Sequence, residues 1–342
     1  MNKNLLKGLA VVALTAVFFY LFALSVSWRQ VLKYLEGVNI PLFLLLFPLA
    51  FLHFFTRALR WRYLLVHEKK GVRFSNMVNA NIVGFTITFI FPGRIGEVVK
   101  PLYLAQKERI RKGFAVGTVV VERIFDVFTM VLFVGLFLLA RPLFPGLFEV
   151  APEAYSRLTF WGIVGLAAAS LLLALIAVIY VMRERALGVL GFLLKPFPER
   201  IRLRVRELAC EFIDGLKFFH SAGNLVMYTL LSFAVWLGII FYYWVLMFAF
   251  GVHIPYFLLV PYVFMTMIGA SIPTPGMAGG YDYFSKLGMV SLLHLNADKA
   301  VGMTLVMHAV QVLMTCAAGY VILGKEGLSL FQIKKMGQSA KP

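Results

Sequence analysis

Residues 76–105 read NMVNANIVGFTITFIFPGRIGEVVKPLYLA, and the architecture turns on how they meet a membrane. Residues 76–91 are apolar but interrupted by Asn79, Asn81, Gly84, Thr86 and Thr88, and stop at Pro92-Gly93. Sixteen residues make about 24 Å of helix at ~1.5 Å per residue, short of a hydrocarbon core of ~30 Å. The limb that follows carries Arg94, Glu97 and Lys100 and leads into Lys107, Arg109, Arg111 and Lys112. Lys69, Lys70 and Arg73 precede the stretch. Basic residues at both ends place both ends on the inner side, so the segment crosses an even number of times. Two full spans do not fit so short and charged a second limb. The pattern predicts a re-entrant helical hairpin that turns at Pro92-Gly93.

The surroundings are those of a membrane protein. Of 342 residues, 61% are hydrophobic and 14% charged, and mean hydropathy is +0.85. That is more apolar surface than one soluble core can hide. Apolar runs predict spans at 7–28, 41–65, 114–139, 158–182, 225–250 and 300–323. The first has Lys3 and Lys7 ahead of it but is longer than a signal-peptide core and lacks a small-x-small site, so a retained helix is expected. A second interrupted stretch, 256–293, breaks at Pro273-Thr274-Pro275-Gly276 and Gly279-Gly280. Counting crossings makes it enter and leave from the outer side.

The expected fold is therefore an all-α polytopic membrane protein with about six spanning helices and two re-entrant hairpins. Its two halves, 1–140 (hairpin 76–105) and 158–323 (hairpin 256–293), form an inverted-topology repeat. An echo supports this. A shift of 185 residues places Glu97 on Asp282, Gly117 on Gly302, Arg123 on His308 and Asp126 on Gln311, and Pro-Gly-x-x-Gly occurs at 92–96 and 275–279.

The net charge of +17 resides in loops beside the spans. This fits orientation in the cytoplasmic membrane, with both termini cytoplasmic and anionic headgroups as neighbours, and not nucleic-acid binding. Between the halves, 183–223 holds eight Lys/Arg against five Asp/Glu, and 201–219 has the helical spacing of an amphipathic helix on the inner leaflet. Two cysteines and six scattered histidines offer no disulfide framework or metal-ligand spacing, so no metal or cofactor is expected.

Breaks at Gly93/Gly96 and at Pro275, Gly276 and Gly279 would put helix starts near the membrane midplane, where exposed N–H groups suit a phosphate or carboxylate. Close helix packing is the plainer reading of the same glycines. Arg94, Glu97 and Lys100 lie on one side of their limb, and Glu122, Arg123 and Asp126 lie deep within the 114–139 span, where a charge is costly unless paired. Asp282 is the one acid of the second hairpin's return limb, and His308 sits mid-span with Gln311 near it. These residues are the candidate translocation site, with no catalytic residue among them. Arg57, Arg60 and Trp61 read as interface anchors, His53 lies one turn before Arg57, and Tyr242, Tyr243 and Trp244 read as an interfacial or core aromatic group.

Arg57-x-x-Arg60-Trp61, the run 92–97, Glu122-Arg123-x-x-Asp126 and Pro273-x-Pro275-Gly276-x-x-Gly279 together resemble the lysylphosphatidylglycerol synthase transmembrane-region family, also termed flippase-like or UPF0104. The resemblance runs from about residue 57 to 323 and implies an inner-membrane protein that handles lipids; in bifunctional relatives this region translocates an aminoacylated phospholipid made by an attached soluble domain. His308 stands where such proteins often have arginine, and Asp282 meets their acid after the second glycine motif. About twenty residues follow the last span, so aminoacyl transfer by this chain alone is not expected. The leading expectation is a flippase for an anionic phospholipid or polyprenyl-phosphate carrier, working as a homo-oligomer or with a separately encoded synthase. The alternatives are a membrane-embedded lipid-modifying transferase, with Glu97, Glu122, Asp126 and His308 as acid–base groups, and a non-transporting accessory subunit. No Walker A motif is present, so direct drive by ATP is not expected.

Overall fold

A computed structural model describes residues 37–66, 68–91, 93–140, 182–215, 222–272 and 274–328, with scattered positions outside these ranges. The predicted span 7–28, the outer loop and most of the span 158–182 lie outside the described residues, as do Lys334, Lys335 and Lys341. The described residues form helices and connecting turns, with no strand among them.

Among the described residues, four helices are long and apolar enough to cross a membrane: α1 (Ile40–Leu65), α4 (Lys112–Ala140), α7 (Ala222–Ala249) and α10 (Ala297–Lys325). They match the spans expected at 41–65, 114–139, 225–250 and 300–323. α1 begins where Asn39 Oδ1 accepts from the Leu42 N–H at 3.2 Å, with proline in the first turn, where its missing N–H costs nothing. Leu44, Phe55 and Leu59 of α1, Leu136 and Leu139 of α4, Leu230 and Phe241 of α7 and Leu313 and Val321 of α10 are exposed, as lipid-facing residues are.

Each interrupted stretch folds as a helical hairpin. In the first, α2 (Phe74–Ile90) ends at extended Phe91, the chain turns through left-handed Gly93 (φ 80°) and Arg94 (φ 53°), and α3 (Gly96–Glu108) packs back along α2. In the second, α8 (Leu259–Ser271) leads through left-handed Gly276 (φ 62°) and Met277 (φ 60°) to Gly279 (φ 83°) and α9 (Gly280–Ser291), packed on α8. The limbs cross on paired glycines. A Cβ on Gly96 would collide with the Gly84 carbonyl and Thr88, and a Cβ on Gly280 would sit 2.6 Å from the Gly269 carbonyl. Gly84 and Gly269 are 185 residues apart, the same shift that relates Glu97 to Asp282.

Two apolar clusters hold the helices together. One gathers Trp61, Phe89, Tyr103 and Phe114 from α1–α4, and the other Leu246, Tyr262, Met289 and Met303 from α7–α10. They join where α2 lies on α10: Gly319 admits Thr86, whose hydroxyl donates to the Thr315 carbonyl at 3.0 Å.

The connector forms α5 (Arg183–Leu193) and α6 (Glu199–Gly215); of the helix expected over 201–219, residues 216–219 lie outside the described residues. Its Arg200, Arg202, Arg204 and Arg206 are exposed, while its other side packs on the start of α4, which Gly113 and Gly117 leave open. Gly113 N–H donates to Glu211 at 2.7 Å, and Arg111 bridges Asp214 (2.8 Å) and both oxygens of Glu68 (2.7 and 2.5 Å). Those bonds from Arg111 hold the Glu68 carboxyl below the usual carboxylate range.

Two outcomes follow. Gly96→Ala and Gly280→Ala should each cost about 1–3 kcal/mol by overpacking, seen as lowered thermal stability of the detergent-solubilised protein, whereas Gly135→Ala, with no neighbour within 4 Å, should be neutral or mildly stabilising. Because the folded-state value of Glu68 is lowered, its contribution is present at neutral pH and lost as pH falls through that value. Glu68→Gln should remove that part of the acid-side decline, roughly 0.2–1 kcal/mol, in thermal melts taken from neutral to acidic pH.

Candidate functional site

The charged residues of α1, α3 and α4 converge on one buried wall. Arg57 and Arg60, one helical turn apart near the end of α1, face Glu122 and Asp126, one turn apart on α4. Arg60 lies 2.7 Å from Asp126 and 3.1 Å from Glu122, and Arg57 lies 3.4 and 3.3 Å from the same pair. All four residues are at most 4% exposed. Lys100 of α3 meets the other oxygen of Glu122 at 2.6 Å, with its ammonium 4.5 Å over the Trp61 ring, whose N–H donates to Thr118. Arg123 reaches Glu122 (3.2 Å), Asp126 (3.3 Å) and Glu97 (3.4 Å), and Glu97 pairs with Arg94 at 3.0 Å.

This geometry corrects one expectation. Arg57, Arg60 and Trp61 are not interface anchors; all three are buried in the ion network, because the carboxylates of α4 have to be matched inside the protein.

The wall is not balanced. Among the described residues, five cations, Arg57, Arg60, Arg94, Lys100 and Arg123, face three carboxylates, Glu97, Glu122 and Asp126. His53 adds no charge, since its Nε2 accepts from Arg57 Nε at 2.7 Å and so carries no proton there. The side chains of Arg94 and Arg123 keep 26% and 32% of their surface open, and the buried Nε of Arg94 makes no hydrogen bond among the described residues.

Arg94 and Arg123 open onto a cavity of about 360 Å³. Phe85 and Arg94 come to it from the first hairpin, Thr266, Met277 and Tyr281 from the second, and Gln311 from α10. His53, Arg57 and Asp126 border it as well. Tyr242 and Tyr243 line the cavity, whereas Trp244 turns away and donates to the Ile254 carbonyl at 3.0 Å.

Asp282 and His308 form a separate cluster at the tip of the second hairpin. His308 Nδ1 lies 2.7 Å from Asp282 Oδ1 and Nε2 lies 2.8 Å from the Gly276 carbonyl. Asp282 Oδ2 accepts the Gly279 N–H at 2.9 Å. The start of α9 is thus closed by its own carboxylate, and the first turn of α3 holds Glu97, paired with two arginines. The expected role of these helix starts as open anion cradles does not fit; the exposed cations of the site are side chains, Arg94 and Arg123. Gly93 is exposed at the turn beside Arg94, and Gly96 is consumed by the hairpin crossing.

The sequence predicts α7 as a span but gives it no part in the site. Tyr228 lies under the Arg60 guanidinium at 5.5 Å, Ser232 Oγ accepts from Arg60 at 3.3 Å, and Trp236 N–H donates to Asp126 at 3.2 Å. The signal was a four-residue spacing of polar-tipped side chains on one side of an otherwise apolar helix.

The family profile described as the lysylphosphatidylglycerol synthase TM region matches residues 7–319. The chain belongs to this family. It is also similar to a UPF0104 membrane protein of Methanocaldococcus jannaschii, 27% identical over 128 residues, which is 37% of this chain and 38% of that relative. The chain thus matches little more than a third of its curated relative's length. No solved structure matches. The charged wall, both hairpins and the Asp282–His308 cluster all fall within the span matched by the lysylphosphatidylglycerol synthase TM region.

Removing one carboxylate should cost more than removing a whole pair. Glu122→Gln takes the carboxylate from Lys100 and leaves Arg57, Arg60 and Arg123 sharing Asp126, and should lower stability by about 3–5 kcal/mol. Adding Lys100→Met to Glu122→Gln should recover part of that loss in a double-mutant cycle of thermal stability.

Proposed function

We propose that this protein is a flippase: it passes the phosphate-bearing headgroup of an anionic lipid, or of a polyprenyl-phosphate carrier, across the cytoplasmic membrane through the central cavity. The observation that carries this reading is the cavity itself, walled by both hairpins and facing a cluster with two more cations than carboxylates. A buried excess of positive charge is costly unless an anion comes to it, and Arg94 and Arg123 are the members with open surface to receive one. Arginine's planar fork suits a phosphate better than a point charge does. A volume of about 360 Å³ is near the lower end of small-molecule pockets, sized for a headgroup and not for acyl chains, which would stay in the bilayer.

In this reading the hairpins are re-entrant, enter from opposite faces and belong to an inverted repeat. Three likenesses support it: left-handed turns at Gly93-Arg94 and Gly276-Met277, glycine crossings at Gly84/Gly96 and Gly269/Gly280, and the pairs Glu97–Arg123 and Asp282–His308, related by the same shift of 185. Both termini would be cytoplasmic, with the exposed arginines of α6 against anionic headgroups.

The test is leaflet exchange of fluorescent phosphatidylglycerol in vesicles carrying the purified protein, with labelled phosphatidylcholine as comparator. The expected result is faster exchange of the anionic lipid without product formation, reduced about tenfold or more in Arg94→Gln/Arg123→Gln, the scale of one lost charge-assisted hydrogen bond. Exchange no faster than in protein-free vesicles, or unchanged in a well-folded double variant, would remove the proposal.

A further inference from the structure

The Asp282–His308 cluster has no part in the charged wall, and its hydrogen bonds set its protonation. The Gly276 carbonyl can only accept, so His308 Nε2, at 2.8 Å, carries a proton. Asp282 Oδ1, 2.7 Å from Nδ1, accepts when ionised and donates when protonated. Either the imidazole holds both protons beside a carboxylate, or a neutral imidazole accepts from a carboxylic acid. In both cases the pair is net neutral and holds one proton more than a neutral histidine beside an ionised aspartate.

We infer that Asp282 and His308 form a single proton-binding site that clamps the tip of the second hairpin to α10 and releases it when the proton leaves. When it goes, one ring nitrogen presents a lone pair to an oxygen that also only accepts, and the pair passes from net neutral to one negative charge. If the remaining proton stays on Nδ1, the Gly276 contact turns repulsive; if it stays on Nε2, the Asp282 contact does. The tip is poised to respond, since Gly276 and Met277 are both left-handed and Gly279 hangs on Asp282 Oδ2.

The clamp sits beside the cavity. Met277 follows Gly276, Tyr281 precedes Asp282, and both line it. The proton reaches solvent through Asp282, whose side chain is 22% exposed, while that of His308 is 2% exposed. Tyr281 of α9 is a titratable group facing the pair, with its ring centroid 4.9 Å from that of His308. Its hydroxyl lies 3.1 Å from that of Tyr243 on α7. From α2 the neighbour is the uncharged Phe89 ring at 6.5 Å, and from the turn the Gly276 carbonyl. That this proton is the coupling ion for lipid movement rests on the proposed function; the clamp itself does not.

The test is amide hydrogen exchange of residues 274–282 in the full chain in nanodiscs, without added substrate, corrected for the pH dependence of chemical exchange. Between about pH 5 and about pH 9, wild-type protection at the tip should fall about tenfold, the scale of one charge-assisted hydrogen bond. His308→Gln, whose amide donates to Gly276 without titrating, should keep its protection at both ends. Asp282→Asn, whose amide N–H donates to Nδ1 of a neutral His308 while its oxygen accepts from Gly279, should also keep its protection at both ends. The first hairpin's turn, residues 93–95, serves as the folding reference. Equal wild-type protection at both ends, or a His308→Gln protein with the wild-type response, overturns the clamp, and the wild-type result alone decides if a variant misfolds. A tip that ignores pH leaves the proposed function standing; a tip that responds in a protein moving no lipid removes that function and keeps the clamp.

Discussion

Two arginines of α1 and two carboxylates of α4 meet where neither helix has water to offer, and much of the arrangement follows from that meeting. Arg57 and Arg60 share a face because they are three residues apart, as do Glu122 and Asp126 because they are four apart. Opposing the two faces lets each arginine reach both acids, which fixes how far α1 slides along α4. An apolar seam tolerates slippage at small cost, whereas a charge moved off its partner inside a membrane protein costs several kcal/mol (about 3–5 where a buried pair is broken). The ion set therefore specifies register more than it adds stability.

That register decides where the hairpins end. Lys100 reaches Glu122 only if α3 lies alongside both α1 and α4, and α3 can lie there only because Gly84 and Gly96 let α2 and α3 touch. The turn then delivers Arg94 to the cavity rather than to the surface. On the other side α7 closes the network with Tyr228, Ser232 and Trp236, groups that offer a ring face, an acceptor and a donor without adding charge. The excess of cations is thus preserved to the cavity's edge.

How much could be read beforehand depends on whether a residue's role is set locally. Four of the expected spans and the helix-turn-helix shape of both interrupted stretches were legible because length, hydropathy and Pro-Gly breaks act within one segment. That Glu122 and Asp126 lie well inside their helix was legible for the same reason. Arg57 and Arg60 were misread because arginine near a helix end looks alike whether it snorkels to an interface or turns inward; what settles it is a partner 65 residues away. The helix starts were misjudged in the same way. A broken backbone predicts unpaired N–H groups, but that Asp282 reaches back to Gly279 depends on the turn's path.

The two hairpins share a plan but not a chemistry, and the difference limits what each can do. At the first, the acid Glu97 is held by arginines, which keep their charge at any physiological pH, so its ion pairs do not switch. At the second, the corresponding acid Asp282 is held by histidine, the side chain whose charge changes most readily near neutrality. One half thus supplies a fixed positive surface and the other a bond that depends on a proton. A fully symmetric molecule with arginine at both places would bind an anion equally from either hairpin and have no built-in means to let it go. With histidine at one of them, the proposed headgroup would meet a rigid wall, while the opposite wall, carrying Met277 and Tyr281, would be the one free to move.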